Sequence, residues 1–133
     1  MNFLRRRTRI DPATREAERA RALHDLGIEL SGAGRRAEAL EVSEEAVDIR
    51  RRLAGSNPAA HQADLASSLN NLGLRLSEAG NTEQAVTTLA EAVRIWRRLD
   101  PASHQGYLAH SLYNLGLQYS RAGTTEQAVT TLE

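Results

Sequence analysis

The chain has 133 residues, and its 17 basic side chains, all of them Arg, balance 17 acidic ones. No net charge therefore draws it to nucleic acid or to a membrane surface. Cysteine is absent, which excludes disulfides and thiolate metal sites. No apolar run approaches the roughly 20 residues of a membrane span, and no secretory signal follows the Arg-rich start, so cytoplasmic residence is the default expectation.

One short phrase occurs three times along the chain. Residues 23–27, 69–73 and 112–116 each read Leu-X-X-Leu-Gly, and the two steps between them are 46 and 43 residues. Copies of this length indicate a stacked repeat array rather than a single globular core. The predicted organisation is a basic arm at 1–11 followed by an array at 12–133, with copies at about 12–57, 58–100 and 101–133.

Each copy is predicted to be a pair of helices, because its apolar residues follow helical spacing and no stretch alternates as a strand does. The first helix should begin at a Pro that follows a capping Asp or Asn, and should end at a Gly in the left-handed conformation. The predicted caps and starts are Asp11-Pro12, Asn57-Pro58 and Asp100-Pro101, and the predicted ends are Gly34, Gly80 and Gly123.

The second helix of each copy should begin directly after that Gly. Asn81 and Thr124 are the expected N-caps, with Gln84 and Gln127 completing capping boxes, whereas Arg35 leaves the first copy without a cap. The extra residues of the 46-residue step are expected to form a loop at 54–57. Two Arg clusters, 50–52 and 97–98, are expected in the last turns, where they complement the helix dipole; phosphate binding is the alternative.

A Gly recurs inside each first helix, where it costs about 1 kcal/mol relative to Ala. This cost indicates a site where a side chain does not fit, so the two helices of a copy should approach closely there. The expected pairs are Gly27 with Ala39, Gly73 with Ala85, and Gly116 with Ala128.

These residues resemble the tetratricopeptide repeat. The second copy matches the pattern at Leu69, Leu72, Gly73, Leu76, Ala85, Leu89 and Ala92, and the third matches it as far as it extends. The first copy departs at Ser43, where a large apolar residue is expected, so its helices should pack less tightly. The period is longer than the usual 34 residues, and in this it is similar to the repeats of kinesin light chains and of many bacterial regulatory proteins.

The resemblance implies an all-α, right-handed solenoid in which the first helices line a concave groove that binds a peptide or helix of a partner protein. The groove positions that it implies are Arg21, His24, Asp25, Ile28 and Ser31; Ser67, Asn70, Asn71, Leu74, Ser77 and Glu78; and His110, Tyr113, Asn114, Leu117, Ser120 and Arg121.

In such repeats an Asn at the position of Asn71 and Asn114 often binds a peptide backbone, since an amide both donates and accepts. Asp25 holds the matching place in the first copy and only accepts when it is ionised. The alternative is that these Asn side chains are solvated or bond their neighbours. The groove lacks the cations that clamp a terminal carboxylate, and Ile28, Leu74 and Leu117 give it an apolar floor, which favours an apolar peptide or helix.

No catalytic, cofactor-binding or metal-binding motif accompanies these repeats. Four His residues are present, and His61 and His104 occupy the same position in successive copies. A repeated surface position of this kind suggests a structural role and not a ligand role. We therefore expect a non-enzymatic interaction module without a cofactor, part of a larger bacterial scaffold or regulator. The alternative is a nucleic-acid-associated regulator that uses the Arg cluster at 5–9.

The third copy stops within its second helix. The expectation is a fragment of a longer array whose open end, with Leu112, Leu115, Tyr119 and Val129, is covered in a homodimer.

Overall fold

The computed structural model describes residues 10–123 and shows five α-helices in that range. They are α1 (Pro12–Gly32), α2 (Arg36–Ser56), α3 (Pro58–Glu78), α4 (Thr82–Arg98) and α5 (Pro101–Arg121). Each helix packs on the next, and residues 10–123 contain no strand. The predicted helical repeat solenoid is confirmed. The Arg cluster at 5–9 and the predicted features at 124–133, including Thr124, Gln127 and Ala128, lie outside the described residues.

The first helices begin at the predicted Pro residues, but only two of the three predicted caps form. The Asp11 carboxylate accepts hydrogen bonds from the Thr14 backbone N–H (3.0 Å) and hydroxyl (2.7 Å), and Asp100 accepts one from the Ala102 N–H. The predicted cap at Asn57 is wrong. Asn57 is the single residue between α2 and α3, and it has a φ of −146° and a ψ of 83°. Its side chain makes no capping hydrogen bond.

The first helices end as predicted, because a left-handed Gly follows each of them. Gly34, Gly80 and Gly123 have φ values of 77°, 82° and 78°, which only Gly adopts at little cost. The second helices then begin at Arg36 and Thr82. The predicted side-chain cap at Asn81 is wrong: like Arg35, it makes no capping hydrogen bond.

The extra residues of the first copy lengthen a helix instead of forming the predicted loop at 54–57. Helix α2 continues to Ser56 and has 21 residues, whereas α4 has 17. The cluster 50–52 is therefore not in the last turn of α2, so its predicted role at the helix dipole is wrong, whereas Arg97 and Arg98 do lie in the last turn of α4.

The recurring Gly marks a close approach of two helices, although the nearest side chains are not those of the predicted Ala residues; at Gly27 the predicted Ala39 contributes its carbonyl oxygen, 3.6 Å from an added Cβ. A Cβ added at Gly73 would lie 2.5 Å from Leu89 Cγ, and one at Gly27 would lie 2.5 Å from Ser43 Oγ. Ser43 is only 4 % exposed, so the looser packing expected in the first copy is not seen at this position. Leu89 and Ser43 lie four residues beyond the predicted Ala partners, one helical turn further on.

Successive copies meet mainly where the second helix of one copy packs on the first helix of the next, as α2 does on α3 and α4 on α5. The backbones of α1 and α3, and of α3 and α5, also approach each other, whereas those of α2 and α4 do not, and these two helices meet through side chains such as the Arg51–Glu91 ion pair. The first helices therefore form the inner, concave layer and the second helices the outer layer. The core lies between the layers and is formed mainly by Val47, Leu65, Leu69, Leu72, Leu76, Ile95 and Trp96.

We expect Gly73→Ala to destabilise the chain, because the new methyl group would collide with the fully buried Leu89. Overpacking of this kind costs about 1–3 kcal/mol. The matched control is Gly106→Ala in α5, where nothing lies within 4 Å of the added Cβ and removal of a helical Gly should stabilise. Urea denaturation measures both; equal stabilities for the two variants would contradict the close approach.

Candidate functional site

An apolar strip runs across the concave layer. Ile28, Leu74 and Leu117 stand at the same position of α1, α3 and α5, since they are separated by the repeat steps of 46 and 43 residues. Ile28 is 48 % exposed and Leu117 36 %, and Leu74 between them is partly buried. One turn before Leu117, Tyr113 is also exposed. These four predicted groove residues share one surface.

Two predicted groove amides lie beneath that surface. Asn70 and Asn114 are 9 % and 5 % exposed, and the Asn114 amide Nδ2 donates to Asn70 Oδ1 over 3.1 Å. Ser111 donates to the same oxygen over 3.2 Å. The prediction that these amides face a ligand therefore needs correction: they join α3 to α5, because a buried amide needs a partner.

The remaining Asn and the first groove His belong to a polar cluster between α1 and α3. His24 Nδ1 lies 3.2 Å from Ser68 Oγ, and His24 Nε2 lies 3.1 Å from Asn71 Nδ2. Arg50 enters this cluster from α2. Its Nη1 donates to Ser68 Oγ (2.7 Å) and to the Asp64 carbonyl (3.2 Å), and lies 3.3 Å from His24 Nδ1.

The cluster holds His24 in its neutral form. When Asn71 Nδ2 donates to Nε2, the proton is on Nδ1; with the amide turned over, it is on Nε2. Both arrangements satisfy a neutral ring. Burial lowers the pKa of His24 below its ordinary value of 6.5, and the nearby Arg50 charge lowers it further against the opposing effects of Asp25 and Asp64.

Arg50 is a buried cation without an ion pair. Its residue is 8 % exposed, and among residues 10–123 no carboxylate oxygen lies within 4 Å of its side-chain nitrogens. Burial lowers the pKa of the guanidinium, but the group stays protonated at any physiological pH. Its charge is supported by neutral acceptors instead of a carboxylate.

An open cavity of about 520 Å³ lies beside this cluster, between the N-terminal halves of α1 and α3. Three predicted groove residues line it together, Arg21, Asp25 and Ser67, with His24 at its inner side. The structure adds residues that were not predicted: Ala13, Thr14, Ala17, Glu18, Arg50, His61 and Asp64. The volume is within the range of small-ligand pockets.

The other predicted positions lie toward the ends of the concave layer. Arg121 Nη1 donates to Ser77 Oγ over 2.5 Å. Ser31 donates to both carboxylate oxygens of Glu78, which also pairs with Arg75. His110 and Ser120 are exposed. These bonds tie neighbouring first helices together across the groove.

Two tetratricopeptide repeat models match the chain, one over residues 60–133 and the other over residues 19–62. The chain belongs to the tetratricopeptide repeat family. Repeats of this family generally mediate protein–protein interactions and are typically non-catalytic. A search of curated proteins finds no match.

Equivalent positions of the tetratricopeptide repeats can be compared at the two junctions between copies, one between α1 and α3 and one between α3 and α5. The steps of 46 and 43 residues match His24 with Asn70, Arg50 with Trp96, His61 with His104, Asp64 with Tyr107, Ser68 with Ser111, and Asn71 with Asn114.

Aromatic rings occupy the second junction where charges occupy the first. Trp96 is 4 % exposed and stacks on Tyr107, with ring centroids 5.1 Å apart and planes 15° apart. His104 lies 5.3 Å from the Trp96 ring. The same space in the first junction holds Arg50 and Asp64, which are smaller and polar. The sequence signal for the cavity was therefore the presence of Arg50 at the position that Trp96 occupies in the next copy. Only the alignment of the repeats reveals it.

The described residues hold no evident metal centre. No three His, Asp or Glu side chains between residues 10 and 123 come together as metal ligands. None of the five helices is long and apolar enough to cross a membrane. The described groove residues offer apolar contact, hydrogen bonds and charge.

We expect His24 to titrate below pH 6.5 in the folded chain. The unfolded chain then takes up the proton first as pH falls, so His24 contributes stability above pH 6.5 that is lost as pH falls through the folded pKa. An NMR titration measures this pKa directly, with His24→Gln used to assign the resonance. His24→Gln should also flatten the fall in unfolding free energy below pH 6.5. A His24 midpoint at or above 6.5 would contradict the buried, Arg50-facing cluster.

Proposed function

We propose that this chain is a protein-interaction module that binds a peptide or helix of a partner protein along the apolar strip of Ile28, Leu74 and Leu117. The observation that carries the proposal is the exposure of large apolar side chains at one repeated position of the concave layer. Large exposed apolar groups in register mark interaction surfaces more often than scattered ones do.

The spacing of the strip constrains the ligand. Packed helices lie about 8–10 Å apart, so neighbouring strip residues are separated by about that distance. Seven residues of an α-helix rise about 10.5 Å, and one three-residue turn of a polyproline II helix rises about 9 Å. A bound α-helix should therefore carry apolar side chains seven residues apart, and a peptide in the polyproline II conformation should carry them three residues apart.

The strip also has polar edges that limit how a ligand can lie. Ser31, Glu78 and Arg75 form a bonded set toward the C-terminal ends of α1 and α3, and Arg121 bonds Ser77 between α3 and α5. Polar groups around an apolar centre are the usual arrangement of a protein interface. The ligand should accordingly be amphipathic, with its polar face toward solvent.

The long repeat steps of 46 and 43 residues support a finer assignment. We infer that the array is of the long-period, kinesin-light-chain-like kind and acts in a larger bacterial scaffold or regulator. The predicted homodimer would cover Leu112, Leu115, Tyr119 and Val129. Leu115 is 5 % exposed, Leu112 and Tyr119 pack partly buried beside it, and Val129 lies outside the described residues, so the homodimer remains a prediction.

The test is affinity for peptides selected from a random displayed library on the intact chain. Ile28→Ser and Leu117→Ser should each weaken binding about tenfold or more, since burial of one such side chain contributes about 1.5–3 kcal/mol. The matched control is Leu26→Ser, because Leu26 is 40 % exposed on the same helix but stands about 200° around it from Ile28.

Selected peptides with apolar residues at the stated spacing, together with unchanged affinity in Leu26→Ser, would support the strip. Peptides that bind both strip variants as tightly as the original chain would remove this surface from the site.

A further inference from the structure

The cavity between α1 and α3 presents an unused hydrogen-bonding edge of Arg50. All hydrogen bonds of this guanidinium involve Nη1. Nε and Nη2 have no partner among the described residues, yet neither is among the buried unpartnered atoms. They therefore reach solvent, and Arg50 lines the cavity. Nε–H and Nη2–H point in parallel and form the pair of donors that binds both oxygens of a carboxylate.

Acidic side chains line the same cavity without pairing with Arg50. Glu18, Asp25 and Asp64 line the same cavity and are exposed, as is Arg21. The described lining thus combines a buried cation with three exposed carboxylates and one exposed cation. A simple anion would be attracted by Arg50 but repelled by the carboxylates. A simple cation would be attracted by the carboxylates but repelled by Arg50.

We propose that the cavity binds a carboxylate that has a cationic group beside it, with the carboxylate on the Nε–Nη2 edge of Arg50 and the cation against Asp25, Asp64 and Glu18. Both charges of such a ligand find an opposite charge, and the buried guanidinium gains the anion that it lacks. A free α-amino acid presents this chemistry, and so does an acidic side chain next to a basic one in a peptide. Only the peptide assignment rests on the proposed function.

The second junction provides the control for this site. Trp96 and Tyr107 stack on each other at the second junction. Arg50 and Asp64, at the equivalent positions of the first junction, line the cavity. The double variant R50W/D64Y copies that arrangement into the first junction and should fill the cavity with rings. R50K is the second variant: it keeps the charge but lacks the two parallel donors.

The experiment is an NMR titration of the intact ¹⁵N-labelled chain that follows the Arg50 Nε–H resonance and, in every variant, the backbone amide resonances of the cavity residues Asp25 and Ser67. The probes are glycine and acetyl-Glu-Lys-amide, compared with acetate and acetyl-Gln-Gln-amide at equal ionic strength. We expect at least one of the two dipolar probes to shift the resonance to saturation, and acetate to bind about tenfold more weakly. R50K and D64N should each weaken the dipolar probe about tenfold, and R50W/D64Y should abolish its binding at the first junction.

Binding of glycine alone would assign the site to a free amino acid, and binding of the dipeptide alone would assign it to a peptide side-chain pair. The proposal is overturned if neither probe moves the Arg50 resonance, if acetate binds as tightly as the dipolar probes, or if R50K binds them unchanged. The strip variant I28S/L117S should keep full probe binding. If I28S/L117S loses peptide binding but keeps probe binding, the strip and the cavity are separate sites. The same conclusion follows if R50W/D64Y loses probe binding but keeps peptide binding.

Discussion

The first junction of the array depends on how one buried guanidinium is held. A charge removed from water is costly unless hydrogen bonds replace its hydration. Arg50 meets this requirement with the Ser68 hydroxyl and the Asp64 carbonyl, and it lies beside a neutral His24. These partners come from both first helices that flank it. The contacts of a single side chain therefore reach three helices of two successive copies.

The same architecture allows the two junctions to have different contents. Repeats contact only their neighbours, so one junction can change without altering the next. In the second junction Trp96 takes the place of Arg50, and Asn70 pairs with Asn114 and Ser111 beneath the surface. The concave layer thus has an open polar cavity at its first junction and a Trp96–Tyr107 stack at its second. The apolar strip crosses both, which gives a ligand an apolar track with a polar site near one end.

Much of the fold could be predicted because its causes are local. Pro12, Pro58 and Pro101 start helices and the left-handed Gly34 and Gly80 end them through the backbone physics of those residues alone. The errors arose where distant contacts decide the outcome. Nothing local to Asn114 or Arg50 shows that the first pairs with Asn70 and that the second bonds Ser68, because both bonds join different copies. The helical extension to Ser56 was missed because the extra residues could equally form a loop.

The most direct test of this account is a pair of double-mutant cycles on the free energy of unfolding. One cycle combines Arg50→Met with Ser68→Ala, and the other combines Arg50→Met with Asp64→Asn. We expect a coupling energy of about 1–3 kcal/mol between Arg50 and Ser68, since their bond is charge-assisted and buried. The coupling between Arg50 and the Asp64 carboxylate should be smaller. A larger coupling to Asp64 than to Ser68 would mean that Arg50 is held by an ion pair, which would contradict an unpaired guanidinium at the first junction.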